Sequence, residues 1–275
     1  MANNSTLSKR AALRQQQEQD ERSKRNKRLV FAGVGLAVAV LIVVLAIVIV
    51  QAVTAGRGVT ADQQTPPNAT AQYGILLDGT EPSADKPHLV VWEDFQCPAC
   101  AAREAAYGPV VGQLLDDGKI TVEIRTAYFL DGSKLDGTRV EDGDSKRAAI
   151  AAAAADSVGK YRAYHDTVYR NQPTEGVGYT NEQLRDAFAT EAGITGDDLT
   201  TFQKLFDERA FDTFVRNADK QFQDDGIRST PTYLVSGQQL QFADEAGNAL
   251  IQPTADDFLR AVTEAWEKGG KKIES

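Results

Sequence analysis

The stretch VVWEDFQCPAC, residues 90–100, decides the fold. It starts as an apolar run, which is typical of a strand buried on both faces, and it ends in Cys97 and Cys100, the only cysteines of the chain. The residues that follow have small and apolar side chains at helical spacing as far as Gly118, a common helix stop. Pro98 suits the first helical position because its missing N–H leaves no hydrogen bond unmade there. The stretch therefore predicts a strand, then Cys97, then a helix.

The segments around this stretch predict an α/β domain. The strand reaches back to His88 and has the apolar content of a central strand, while Pro109 predicts a kink or break in the helix. Three further segments have clear patterns: residues 119–130 (a second strand), residues 232–235 with 239–242 (a hairpin) and residues 254–268 (a closing helix capped by Thr254). Together they frame a mixed sheet with helices against it.

A long helical block interrupts that frame. Between about residues 136 and 226 we find no strong strand pattern, so we expect an all-helical insertion. Residues 144–171 predict one or two alanine-rich helices. Residues 180–193 open with a threonine–glutamine capping box. Residues 197–226 place apolar side chains on one face and predict one further amphipathic helix.

The N-terminal part predicts a membrane anchor. Residues 29–50 contain no charge over 22 positions, and at about 1.5 Å per residue such a helix crosses a hydrocarbon core of roughly 30 Å. Residues 1–28 carry eight basic and three acidic side chains, and a basic flank of this kind stays in the cytoplasm. We therefore expect a single-pass protein of the cell membrane with an extracytoplasmic domain. A cleaved signal peptide is the alternative, but the apolar run exceeds the usual length of about 7–15 residues.

Composition bounds the exported part. Residues 51–72 are rich in Ala, Thr, Gln, Gly and Pro without apolar periodicity, which indicates a flexible linker before a domain at 73–275. The whole chain has 42% apolar and 25% charged residues, as globular proteins do. Its net charge of −9, with +5 on the first 28 residues, leaves −14 on the rest. Because so acidic a domain repels phosphates, we expect no nucleic-acid binding.

The two cysteines have the spacing of a redox pair. Only the thiolate of a cysteine is nucleophilic, and a helix N-terminus lowers the thiol pKa from about 8.5 toward roughly 3.5–7.5. Cys97 would lie at that N-terminus. Cys100 follows one helical turn later on the same face, close enough to attack a mixed disulfide formed at Cys97. We therefore interpret Cys97 as the attacking sulfur and Cys100 as the resolving one.

A CxxC spacing also occurs in inert disulfides, metal sites and haem attachment sites. An inert staple would restrict the unfolded chain little, because its loop is so short. A structural zinc site needs four ligands, and only His88, expected at the surface, and His165, expected on a helix face, are available. Haem attachment needs a histidine where Ala101 stands. A staple and a copper-type thiolate site remain open, but we expect no cofactor and no bound metal.

From about residue 73 to the end, the chain resembles the DsbA-like branch of the thioredoxin superfamily. The resemblance is carried by EDFQCPAC (93–100) and GIRSTPTYLVSG (226–237), and KYRAYHDTVYRNQP (160–173) is similar to the inserted helices of that branch. It implies a thioredoxin-like fold with a helical insertion. It also implies that Pro231 is cis and faces the disulfide, and that Thr230 offers its backbone to substrate.

The chain departs from the family pattern at two places. Between the cysteines stand Pro98 and Ala99, whereas the strong oxidants of the family have a histidine in the position of Ala99; we therefore expect a weaker pKa depression at Cys97. Thioredoxins have a buried acid six residues before the first cysteine, where this chain has Val91. Glu93 or Asp94 is a candidate proton acceptor for Cys100, although either is equally explained as a strand-end charge.

These observations predict an extracytoplasmic protein thiol–disulfide oxidoreductase with Cys97, Cys100, Thr230 and Pro231 as its site. We expect an oxidase that donates its disulfide to exported proteins with cysteines and is recycled by a membrane redox partner. Because the linker is too short for an isomerase dimerisation domain, we expect a monomer. A reductase or isomerase is the alternative within this chemistry. An anchored chaperone or binding module with a structural disulfide is the alternative outside it.

Overall fold

A five-stranded mixed sheet organises the protein. The computed structural model describes residues 62–132, 140–174 and 176–273. The strands are β1 (Ile75–Leu76), β2 (His88–Glu93), β3 (Thr121–Thr126), β4 (Thr232–Val235) and β5 (Gln238–Gln239). Their spatial order is β1-β3-β2-β4-β5, in which only β2 and β3 are parallel. The prediction that the strand before the cysteines is central is thereby confirmed.

Both faces of β2 are covered, as its apolar sequence predicts. Leu89 and Val91 point into the main core beneath the helices. Val90 and Trp92 point to the other face, where Trp92 packs edge-on against Phe222 at a ring separation of 5.5 Å. Every residue of β2 is buried. A strand buried on both sides is held rigidly, and so is the turn that follows it.

Helices cover the sheet and fill the connection between β3 and β4. They are α1 (Pro98–Asp116), α2 (Asp144–Asp156), α3 (Tyr161–Arg170), α4 (Phe188–Glu191) after a π-helical turn at Gln183–Ala187, α5 (Gly196–Asp207), α6 (Asp212–Asp224) and α7 (Ala255–Lys268). The α/β architecture is confirmed. Between β3 and β4 the described residues form helices and turns and no strand.

Two helix predictions are corrected. Helix α1 runs without a break through Pro109. The single helix predicted over residues 197–226 is wrong, because α5 and α6 are separated at Arg209, whose φ is 52°. This left-handed residue lets the chain turn so that Ala210 and Phe211 are fully buried in the core.

The strand ends also differ from the predictions. β1 was not predicted, and at two residues it is too short for an alternating pattern. The second strand is shorter than 119–130, and the returning hairpin strand lies at Gln238–Gln239 rather than at 239–242. His88, expected at the surface, is 2% exposed: its Nδ1 lies 2.8 Å from Thr121 Oγ1 and its Nε2 lies 3.2 Å from Glu123.

The N-terminal predictions fall mostly outside the described residues. This holds for the tail at 1–28, the membrane helix at 29–50 and the first part of the linker at 51–72. Near the end of that linker, Asn68 donates from its backbone N–H and its Nδ2 to the carboxylate of Asp156, at 2.9 and 2.8 Å. Within the ranges that the structure describes, no helix has the length and apolar character needed to cross a membrane.

Candidate active site

Cys97 lies at the junction of the central strand and α1. It is the N-cap residue of α1 with an extended backbone (φ −73°, ψ 115°), and Pro98 follows at the first turn. Its N–H donates to Asp94 O at 2.9 Å, which closes the turn after β2. The side chain is only 7% exposed. The predicted order of strand, cysteine and helix is confirmed, and it places the Cys97 sulfur among the free N–H groups of α1.

The surroundings of Cys97 favour its thiolate. Its pKa is lowered to about 6, first by a hydrogen bond from the Cys100 thiol, against the opposing effect of burial. The side chain of Thr230 and the backbone N–H groups of Cys100 and Ala99 lower the pKa further. Ala99 has no side-chain donor, so its contribution comes from the backbone alone. The helix N-terminus thus replaces the missing histidine in part.

The surroundings of Cys100 favour the thiol. Burial raises the pKa of Cys100 far above its usual range, and the hydrogen bond to Cys97 and repulsion by Glu93 raise it further. Both cysteines are free thiols in the structure. At neutral pH one sulfur is therefore charged and the other holds a proton. This is the state needed for Cys97 to attack and for Cys100 to stay in reserve.

The loop before β4 closes over Cys97. The Thr230–Pro231 peptide bond is cis, as the resemblance implies. Cys97 Sγ lies 3.3 Å from Thr230 O, across a sequence separation of 133 residues. The fold therefore brings the two predicted motifs into contact.

A buried charged pair lies beneath the cysteines. Glu93 Oε1 lies 2.7 Å from His165 Nε2, and both side chains are almost completely buried. Burial lowers the pKa of His165, but attraction by Glu93 and hydrogen bonding to Asp166 outweigh it and leave the pKa well above its usual value. His165 lies in helix α3, as the sequence predicted, and it is a charged partner buried in the core. Its place beside Glu93 connects the insertion to the end of β2.

His165 also belongs to a group of possible metal ligands. Glu104, His165 and Asp166 each bring one ligand atom within 4.8 Å of the others. His165 Nε2 is paired with Glu93 and its Nδ1 lies 3.4 Å from Asp166 Oδ1. Because both nitrogens are occupied and the imidazole holds its proton, these contacts describe a charge-paired cluster rather than an open ligand set.

Asp94 has a structural position. Its carboxylate is fully buried and accepts from Gln96 N at 2.9 Å, Leu130 N at 3.1 Å and Ser145 Oγ at 2.5 Å. Burial raises its pKa to about 7 although these hydrogen bonds oppose the rise. Asp94 therefore joins the active-site turn to the start of α2. Its possible role as a proton acceptor, like that of Glu93, stays a prediction.

The insertion also supplies donors that sequence reasoning missed. Tyr169 Oη donates to Asp94 O at 3.3 Å, and Tyr179 Oη donates to Phe95 O at 2.7 Å. Gln172 Nε2 donates to Phe95 O at 2.8 Å and to Cys97 O at 3.1 Å. No local pattern marks these residues, because each partner is at least 75 positions away. They satisfy carbonyls that the turn itself leaves free.

A small groove opens beside this turn. It has a volume of about 160 Å³, and its lining includes Gln96, Leu130, Gln172 and Pro173. Leu130 is 40% exposed, and Val177, between two glycines that also line the groove, is 72% exposed.

Comparison with known proteins identifies the same fold. A family model described as Thioredoxin matches residues 81–252, more than half of the chain. The MdbA thiol-disulfide oxidoreductase from Actinomyces oris is similar with a TM-score of 0.56 and 18% identity, covering 76% of this chain and 98% of that chain. BdbD from Bacillus subtilis in its oxidised form is similar with a TM-score of 0.53 and 18% identity, covering 77% of this chain and 100% of that chain. MdbA from Corynebacterium diphtheriae is similar with a TM-score of 0.52 and 20% identity, covering 67% of this chain and 91% of that chain. No curated protein sequence matches the chain.

Proposed function

Because this chain belongs to the thioredoxin family, we propose that it is a protein thiol–disulfide oxidoreductase of the DsbA type, working as an oxidase on exported proteins. Cys97 and Cys100 are the reacting groups, and the loop at Thr230 and Pro231 receives the substrate chain. The neighbours named as thiol–disulfide oxidoreductases support the class of chemistry through their shared fold.

One observation carries the proposal. Within a single helical turn, the pKa of Cys97 is lowered to about 6 while the pKa of Cys100 is raised far above its usual range. A stabilised Cys97 thiolate stabilises the reduced protein. A protein whose reduced form is stabilised gives its disulfide away readily, as an oxidase must.

The exchange balances as two sulfur transfers. A substrate thiolate attacks the Cys97 sulfur of the Cys97–Cys100 disulfide, which breaks that bond, and Cys100 leaves and takes up a proton. A second substrate thiolate then attacks the substrate sulfur of the mixed disulfide and expels the Cys97 thiolate. The substrate has lost two electrons and two protons. The cysteine pair has gained both electrons and one proton, on Cys100, and the second proton goes to solvent because Cys97 leaves as a thiolate.

The cellular setting is part of the proposal and rests on the sequence. The apolar run at 29–50 with its basic flank at 1–28 supports a membrane anchor with the catalytic domain outside the cytoplasm. Its substrates are then exported proteins that carry cysteines, and a membrane redox partner restores the disulfide. We expect the protein to work as a monomer.

A redox equilibrium with glutathione tests the direction of the reaction. An oxidase requires a reduction potential clearly above about −230 mV, because lower values lie on the thioredoxin side of the scale. A potential well below that value supports a reductase and overturns the oxidase proposal.

Oxidative refolding of a reduced model substrate separates the catalyst from an anchored chaperone. Cys97→Ser abolishes disulfide transfer by a catalyst but leaves the partner binding of a scaffold unchanged.

A further inference from the structure

The active-site turn is held by side chains from outside the thioredoxin core. The turn after β2 presents three carbonyls, those of Asp94, Phe95 and Cys97. Two of these carbonyls accept a backbone N–H from nearby in the chain: Asp94 O accepts from Cys97 N at 2.9 Å, and Cys97 O accepts from Ala101 N at a longer 3.2 Å. Gln172, from the insertion, spans the last two carbonyls at once.

The chemistry of the contact fixes the orientation of the Gln172 amide. Both of its partners, Phe95 O and Cys97 O, are carbonyl oxygens and accept only. The amide nitrogen must therefore face them, and its two hydrogens serve the two acceptors. Gln172 itself is placed by its own backbone, because its N–H donates to Tyr169 O at 3.2 Å just after the end of α3.

The Gln172 amide contacts the residue that carries the reacting sulfur, Cys97. The Cys97 carbonyl belongs to the peptide that joins Cys97 to Pro98, and it accepts from Ala101 N, which ties it to the first turn of α1. The backbone N–H groups of Ala99 and Cys100 in that turn lower the pKa of Cys97. If the Cys97 carbonyl rotates, those donors move relative to the sulfur.

We propose that Gln172 is a positioning residue that couples the helical insertion to the Cys97 thiolate by holding the first turn of α1 in register with the sulfur. The inference rests on the proposed function, because it assigns Gln172 a part in the same thiol chemistry. Gln172 does not touch the reacting atoms. It acts through the Cys97 carbonyl.

Gln172→Met in the full chain tests the proposal, since methionine keeps the length of the side chain and removes both donors. The Cys97 thiolate is titrated in the reduced protein by its absorbance near 240 nm. We expect the midpoint to rise by roughly half a unit, about a threefold change in acid dissociation. The equilibrium with glutathione should shift toward the oxidised protein by nearly the same factor at neutral pH.

Asn171→Leu is the matched control. Asn171 is the neighbouring amide, and its Nδ2 donates to Thr167 O and to Glu191, not to the active-site turn. The Asn171→Leu variant should leave the titration midpoint of the Cys97 thiol unchanged. An equal shift in both variants, or none in Gln172→Met, overturns the positioning role.

Unfolding of both redox forms separates positioning from ordinary packing. If Gln172 positions the thiolate, Gln172→Met destabilises the reduced protein more than the oxidised one. If Gln172 only stabilises the fold, both forms lose the same stability and the Cys97 midpoint stays in place, which contradicts the proposal. Failure of the proposed function itself is distinct, because the unmodified protein would then already titrate like a free cysteine.

Discussion

Cys97 and Cys100 lie one turn apart at the start of the same helix, yet their surroundings shift their pKa values in opposite directions. Cys97 faces helix N–H groups, the Cys100 thiol and the Thr230 side chain, and its pKa is lowered to about 6. Cys100 lies deeper, near the negative Glu93, and its pKa is raised. Two identical side chains therefore acquire opposite roles from where they lie, not from what they are.

The contrast extends to the elements that surround each sulfur. The surroundings of Cys97 come from local features, the N-terminus of α1 and Pro98, together with the loop at Thr230. The region beneath Cys100 depends on a distant contact between Glu93 and His165, 72 residues apart. Cys97 thus owes most of its surroundings to the local chain, with Gln172 of the insertion acting only through the Cys97 carbonyl, whereas Cys100 lies near Glu93, whose charged partner belongs to the insertion.

The largest expected effect concerns the nucleophile. Cys97→Ser should lower disulfide transfer by about three orders of magnitude or more, because Cys100 alone cannot form the disulfide that is transferred. Cys100→Ser, the matched change, should leave a reactive Cys97 that attacks a substrate supplied in its disulfide form, releases one substrate thiolate and accumulates as the mixed disulfide. Non-reducing gels and mass spectrometry of the adducts measure both. Equal adduct formation by the two variants would break the contrast between the sulfurs.

The Glu93–His165 pair carries the next largest effect. Glu93→Gln leaves a buried imidazolium without its charged partner, which typically costs about 3–5 kcal/mol of unfolding free energy. Urea unfolding measures the loss. Glu264→Gln is the matched control, since it removes one partner of an exposed pair with Arg260 and should cost less than about 1 kcal/mol. A similar small cost for both variants would contradict a charged His165.

The two redox forms should differ in their response to pH. A thiol with a lowered folded-state pKa adds stability that is complete above its unfolded pKa, about 8.5, and is lost as pH falls through the folded value of about 6. The reduced protein should therefore gain stability over the oxidised one as pH rises from about 6 to about 8.5. Groups such as Asp94 are present in both forms and cancel in the difference. Unfolding midpoints of the two forms that run parallel with pH would refute this.

The smallest effect tests the insertion's support of the turn. Tyr179→Phe removes the hydroxyl that donates to Phe95 O but keeps the ring in the core. Because Gln172 still donates to the same carbonyl, the loss should be about 1 kcal/mol. Thermal or urea unfolding measures it. A loss as large as that from Glu93→Gln would mean that the turn, rather than the buried pair, limits stability.

Local features of the fold are readable from the sequence because short-range chemistry determines them. The predicted capping box forms as expected: Thr180 N donates to Gln183 Oε1 at 2.8 Å and Gln183 N donates to Thr180 Oγ1 at 3.1 Å. Thr254 caps α7 by accepting from Asp257 N. The central strand and Cys97 at the helix start follow from residues adjacent in the chain.

The features that sequence reasoning missed depend on distant contacts. Nothing near His165 in sequence indicates that Glu93 neutralises it, and nothing near Gln172 indicates two carbonyls in another element. The break at Arg209 is set by the burial of the residues after it, against the local helical pattern. β1 is defined by its pairing with β3 rather than by its own two residues. Periodicity carries no signal for such tertiary choices.

The most direct test of the account is the pH dependence of Cys97 alkylation in the reduced protein. Iodoacetamide reacts with the thiolate, and Cys100 does not compete because its proton is held far above the range measured. The account predicts a rate that rises with a midpoint near pH 6 and is close to its plateau at pH 7. A midpoint near about 8.5, the value of an unperturbed thiol, would contradict it.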